Sequence, residues 1–207
     1  MLTPRRRLLA IISTSLALTA LTPVTVAHAG ARTSSALVAA DATEAITAFE
    51  RWETTGSPAD FTRYVRLRGL TAEHAATELA VDAAEMQRAW ASTDLEKQRA
   101  LLAAVSQLGV GYRYATSEPG VAFDCSGLTR FAYGEVGVEL ANISRDQIRE
   151  STGVDEAELE AGDLVYYPGH VSIFVGAGLH VHAPDYGQTV EIAPMPDRSL
   201  SYGDALT

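Results

Sequence analysis

The order of segments along the chain predicts an α+β fold. Apolar residues at helical spacing fill the first half, and short β-branched and aromatic runs punctuated by Gly and Pro fill the region after Val138. Helices followed by strands, rather than helices alternating with strands, place the helices on one side of an antiparallel meander.

Residues 1–29 open with Arg5-Arg6-Arg7, continue through an uncharged apolar run from Leu8 to Leu21 and close on Ala27-His28-Ala29, the pattern of a signal peptide. The run is shorter than the ~20 residues needed to cross a bilayer, and no later stretch is as long and charge-free, so a membrane-spanning protein is not expected. Arg5-Arg6 followed by Leu8-Leu9 also resembles a twin-arginine signal, with Pro4 where Ser or Thr is usual, so either export route fits.

The small, weakly polar stretch Ala31–Ala40 reads as a flexible leader. Ile46, Phe49 and Trp52 then follow helical spacing up to Thr54-Thr55-Gly56. Ser57-Pro58 restarts a helix in the order cap then proline, with Phe61, Tyr64 and Val65 on one face and Gly69 as the stop. Leu79, Ala83, Met86 and Trp90 form a third apolar stripe. Thr93-Asp94-Leu95-Glu96 is a capping-box pattern that starts a helix running to Gly109. It divides a helical segment, residues 30–92, from a second domain, residues 93–207. In that domain Leu128, Phe131, Ala132 and Val136 predict a helix starting at or just after Asp124, and the strands are Asp163–Tyr167, His170–Val175, Leu179–Ala183 and Thr189–Ile192.

Loss of residues 1–29 leaves 13 basic and 26 acidic residues, a formal charge of −13, which argues against nucleic acid as a partner. Cys125 is the only cysteine and has no internal disulfide partner. At a helix N-terminus the free N–H groups and the partial positive charge favour thiolate, the nucleophilic form, and offer donors to an oxyanion. The competing reading is a small core residue with Asp124 as an ordinary N-cap.

A base decides between these readings. Four histidines follow residue 29, and three lie in the meander. With Gly176-Ala177-Gly178 as the turn and Val175 opposite Leu179, His182 falls opposite Ser172, and His170 is its diagonal neighbour on the same face. That parity suits His170 as the base, oriented from behind by His182, and a one-residue slip destroys it.

"FDCSGLTRFAY", then "SRDQ" (Ser144 to Gln147), "AGDLVYY" (Ala161 to Tyr167), "HVSIFVG" (His170 to Gly176) and "HAPDYG" (His182 to Gly187) resemble, in order and spacing, the NlpC-type cell-wall cysteine peptidases of bacteria over residues 93–207. The resemblance implies a papain-like α+β fold and cleavage of peptidoglycan stem peptides between γ-D-glutamate and the following diamino acid, without metal or organic cofactor. By position it makes Cys125 the nucleophile, His170 the base and His182 the orienting third member. It also makes Tyr112 a holder of the substrate's amino-terminal end, Asp124 and Ser126 binders of its ammonium group, and Ser144 and Arg145 part of the loop closing that side of the groove. Where relatives run from the tyrosine toward a Gly-Gly pair, this chain has Tyr112-Arg-Tyr-Ala-Thr116, which is expected to narrow or reshape the groove.

Three other readings compete. His180-Val-His182 with His74 and Glu78 is a candidate zinc set, but it leaves Cys125 without a role. The same fold also permits amidase or acyl-transfer chemistry, or a non-catalytic wall-binding protein. Residues 41–92 are read as a dock for a wall or divisome partner, or as a lid over the groove.

Overall fold

The structure, a computed structural model, describes residues 24–207. The arginines and apolar run of the expected export leader lie outside the described residues, and Ala27–Ala29 falls on the first helix. That helix, α1 (Val24–Thr55), is followed by α2 (Pro58–Leu79), α3 (Ala83–Ser92) and α4 (Leu95–Val105). A small sheet of β1 (Gly111–Tyr112), β2 (Ser117–Glu118) and β3 (Ala122–Phe123) leads into α5 (Cys125–Gly134) and α6 (Ser144–Glu150). The main sheet contains β4 (Thr152–Val154), β5 (Leu164–Tyr167), β6 (His170–Gly176), β7 (Leu179–His182), β8 (Glu191–Pro194) and β9 (Ser201–Asp204), in the order β4-β9-β5-β6-β7-β8. The chain is α+β, with α3 to α6 packed against the sheet. Among the described residues no helix is long and apolar enough to cross a membrane.

Several local expectations are corrected. Ala31–Ala40 is helical rather than a loose leader, because its alanine-rich sequence favours helix and Val38, Ala42, Ala45 and Phe49 form a buried stripe against α2. Gly69 does not stop α2. Thr71, Ala72, Ala75 and Ala76 continue its buried face, and the helix ends ten residues later at Leu79, with Ala80 as its C-cap in the left-handed conformation. The capping box does not form either: Asp94 is the N-cap of α4, without a side-chain cap bond. The expected strand 189–192 lies at 191–194 instead, and Thr189 bridges Gly111 of the small sheet. β4 and β9 carry Gly and Asp in runs too short and too polar to show a strand period, and pairing with their neighbours makes them strands.

The His-bearing hairpin closes differently from the expectation. The turn is the two-residue Ala177-Gly178, and Val175 bulges out between the Phe174 and Gly176 pairs. The bulge compensates for the shorter turn, so Phe174 pairs with His180 and Ile173 with Val181.

The helical segment shares a single hydrophobic cluster with the rest of the chain. Buried Trp90 donates from Nε1 to Val175 O at 2.7 Å, and a Cβ on Gly176 would lie 2.8 Å from Ala89 Cβ, so α3 is set directly on the β6–β7 turn. His170 stands at the opposite end of β6, roughly 20 Å away at the usual strand rise. No residue of 34–92 lines the cleft beside Cys125, which argues against the lid reading. A chain beginning at residue 93 is therefore expected to lose the apolar cover of α4 and β6. Thermal unfolding should show no cooperative transition, or one lowered by well over 10 °C.

Candidate active site

Asp124 is the N-cap of α5, its Oδ1 accepting the Gly127 N–H at 2.7 Å. Its Oδ2 accepts the Ala115 N–H at 2.7 Å, and its own N–H donates to Thr116 O at 2.9 Å. Ser117 Oγ donates to Gly127 O at 2.8 Å, so the 114–117 loop is strapped to the first turn of α5. Only glycine fits at 127, since a Cβ there would meet Thr116 O at 2.0 Å. Ala115, within the 112–116 stretch that departs from the Gly-Gly pattern of the resemblance, takes φ 52°, a conformation that costs a side-chain-bearing residue about 1 kcal/mol. The result is a cleft of about 650 Å³ lined by Tyr112, Tyr114, Cys125, Arg130, Ile143 and Ser144 among others.

Cys125 is the first residue of α5 and is partly exposed. The backbone N–H of Val171, the residue after His170, lies near the Cys125 sulfur and favours the thiolate. His170 directly follows the Pro168-Gly169 turn, paired with Tyr167 across β5–β6. Its ring stacks on Tyr167 with centroids 4.9 Å apart, and the Arg198 guanidinium covers the Tyr167 ring at 4.6 Å. His170 Nε2 lies 3.0 Å from His182 Nδ1, which leaves Nδ1 as the ring's unassigned nitrogen. His180 stacks on His182 with centroids 4.2 Å apart, and its Nδ1 lies 2.7 Å from Ser172 Oγ.

Residues 109–202 match the NlpC/P60 family. They form an NlpC/P60 domain. A probable endopeptidase of Corynebacterium glutamicum is 37% identical to this chain over 123 residues, 58% of this chain and 54% of that protein. The peptidoglycan endopeptidase RipA of Mycobacterium tuberculosis is 30% identical over 107 residues, 44% of this chain and 23% of that protein. Among solved structures, an NlpC/P60 family protein of Bacillus cereus superposes with a TM-score of 0.50 at 28% identity, covering 54% of this chain and 40% of that one. The chain spans about half the length, or less, of the curated relatives it matches.

Within the NlpC/P60 domain the residues singled out from sequence fall into distinct positions. His170 and His182 come together, Cys125 lies near Val171, the residue that follows His170, and Tyr112 and Ser144 line the cleft beside Cys125. Tyr112 packs edge-on against Tyr186 at 5.2 Å, and burial, reinforced by Cys125 and Asp124, pushes its hydroxyl up to about 12. Asp124 and Ser126 border the cleft but are engaged inside the fold. Both Asp124 oxygens are taken, and Ser126 Oγ donates to Asn142 O at 2.9 Å or Asp124 Oδ1 at 3.2 Å. Arg145 is not brought to the cleft. Its side chain is 72% exposed and lies nearest Asp146, because a helical step from Ser144 carries it round to solvent. His74 pairs with Asp41 at 2.6 Å on α2 and does not join His180 and His182.

Two contributors carry weaker sequence signals. Gln147, the last residue of "SRDQ", is fully buried and donates to Ser126 O at 2.9 Å and Ala141 O at 2.8 Å, fastening α6 to the nucleophile turn. Arg130, one helical turn beyond Ser126, hydrogen-bonds Asn142 Oδ1 on the cleft wall.

Burial raises the Cys125 thiol, and the N–H groups of Val171, Ser126 and Cys125 oppose it without reversing it. Burial likewise holds His170 and His182 down to about 4, the former with help from His182 and Arg198, and His180 to about 3. The resting pair is therefore thiol and neutral imidazole, not the thiolate expected from the helix terminus alone. The sign for stability follows. Between about pH 6.5 and pH 4 the unfolded chain binds more protons at these histidines, so their contribution is fully present above pH 6.5 and is lost as pH falls through that window. Urea unfolding should show a loss on the order of 2–4 kcal/mol from pH 7 to pH 5. An unchanged midpoint would contradict the burial argument.

Proposed function

We propose that the chain is a peptidoglycan endopeptidase acting at the bacterial cell wall. In this reading it cuts stem peptides between γ-D-glutamate and the diamino acid through a thioester on Cys125. The observation that carries the reading is Cys125 on a helix N-terminus beside Val171, the residue after His170, with His170 backed through Nε2 by His182. Because both partners rest neutral, His170 takes the thiol proton as sulfur attacks the carbonyl carbon. The N–H groups at the start of α5 face the oxyanion that develops. Collapse expels the amine, which receives the proton from His170. Water, deprotonated by the same ring, then hydrolyses the thioester and returns the thiol.

The cleft chemistry supports a peptide substrate with one apolar wall, Tyr114 and Ile143, and one cationic side chain, Arg130, for a carboxylate. Ammonium recognition through Asp124 is indirect in this reading. With both oxygens committed, the carboxylate contributes field and holds the loop rather than offering a free acceptor.

Incubation of the protein with defined muropeptides followed by mass spectrometry tests the proposal. New fragments ending at γ-D-glutamate are expected. Products retaining the full stem but freed from sugar point to an amidase. Absence of any product at neutral pH overturns the hydrolase reading in favour of wall binding.

A further inference from the structure

For His170 to take a proton at Nδ1, its own proton must sit on Nε2 and be donated to His182 Nδ1. A pair of neutral imidazoles does not enforce this, because the hydrogen bond between them can run in either direction. What selects the direction is whatever His182 does with its far nitrogen. His182 Nε2 is buried and has no hydrogen-bond partner. The group facing it is Glu191, which sits directly across the ladder where His182 of β7 pairs with Glu191 of β8. Glu191 Oε1 lies 3.6 Å from His182 Nε2. That is too long for a hydrogen bond, but the carboxylate is half-exposed, and a small side-chain rotation closes it.

We propose that Glu191 is a positioning residue of the cleft, its carboxylate accepting from His182 Nε2–H and so holding the His170–His182 pair in the one tautomer that leaves His170 Nδ1 free to accept. The inference rests on the reading of Cys125 and His170 as nucleophile and base. The remaining surroundings of His182 do not supply this control. His170 occupies Nδ1, and His180 stacks flat on the ring with its own Nδ1 turned to Ser172 Oγ. His180 is also neutral, held there by burial, so it offers His182 no charge. With Glu191 absent, the cheapest way to satisfy His182 is to move its proton to Nδ1 and donate to His170 Nε2. That places the His170 proton on Nδ1, where it blocks acceptance from the thiol.

The test uses the full chain and three proteins: wild type, Glu191→Ala and Glu191→Gln, in which the amide oxygen remains an acceptor. Glu191 is exposed on a strand, so neither variant should disturb folding. Ring ¹⁵N shifts report the tautomers directly, and the rate of Cys125 alkylation by iodoacetamide at pH 7 reports proton acceptance without any substrate. Wild type is expected to show both rings protonated on Nε2. Glu191→Ala should shift His170 and His182 toward the Nδ1–H form and slow alkylation about tenfold, and Glu191→Gln should restore both to near wild type. Unchanged shifts in Glu191→Ala overturn the proposal, as does a Glu191→Gln protein as slow as Glu191→Ala. If the shifts move as expected but wild type cuts no muropeptide, the endopeptidase reading fails and the role of Glu191 stands.

Discussion

Cys125→Ala is expected to reduce the proposed muropeptide cleavage by a factor on the order of 10⁵ or more, down to the rate left by substrate binding and the helix-terminal donors alone. The magnitude follows from the lack of a substitute nucleophile: Ser126 Oγ, the adjacent hydroxyl, is committed to Asn142 O or Asp124 Oδ1. The same change should leave stability almost untouched, because the thiol is partly exposed and removing one sulfur opens little cavity. Turnover and the urea midpoint are to be measured on the same sample. Residual cleavage above a few per cent with an unshifted midpoint would remove Cys125 from the reaction. Cys125→Ser should behave nearly as badly, since neutral His170, with its pKa held down to about 4, is a weak base for an alcohol.

Lys97→Met is expected to destabilise the fold by about 3–5 kcal/mol, the range for stranding one member of a buried ion cluster. Lys97 Nζ lies 2.8 Å from Asp163 Oδ1, 3.0 Å from Asp204 Oδ2 and 3.1 Å from Glu160 Oε2, and its side chain is only 5% exposed. It clamps α4 to the start of β5 and to the end of β9, the two strands that extend the meander. Burial works to lower the Lys97 pKa, but the hydrogen-bonded carboxylates overcome it and hold the ammonium above its ordinary range. Burial raises Asp163, with Lys97 as the main opposing influence. Without the ammonium, Asp163 is left with a single backbone donor, the Glu160 N–H, and its pKa rises further. A raised carboxyl pKa costs stability above the unfolded value and not below it, so the gap between variant and wild type should narrow as pH falls toward 4. Adding Asp163→Asn to Lys97→Met should recover part of the loss in urea unfolding. No recovery, or a loss under 1 kcal/mol, would mean the cluster is not the clamp described.

Neither Lys97 nor Glu191 stands out in the sequence. Lys97 reads as an ordinary charge on an amphipathic helix, and its burial depends on three acids 63 to 107 residues away. Glu191 reads as the polar residue of an alternating strand, and its meaning comes from the register that sets it opposite His182. Arg145 shows the reverse error. A motif position suggested a role at the cleft, and one step round a helix removed it.

What the sequence determined by itself is local and periodic. The helix starting at Asp124, the lone thiol on its first turn, the α+β order and the shared face of His170 and His182 all follow from short-range patterns of burial and capping, which the chain encodes residue by residue. What only the tertiary structure decided is long-range. The bulge at Val175 kept the histidine register despite a shorter turn, β9 was paired with β5, and the helices before residue 93 were set on the far end of β6 rather than across the cleft. The resting protonation of Cys125 belongs with these. The helix terminus favours thiolate, but the desolvation that opposes it comes from elements packed over the thiol, and no local pattern reveals how much water they exclude.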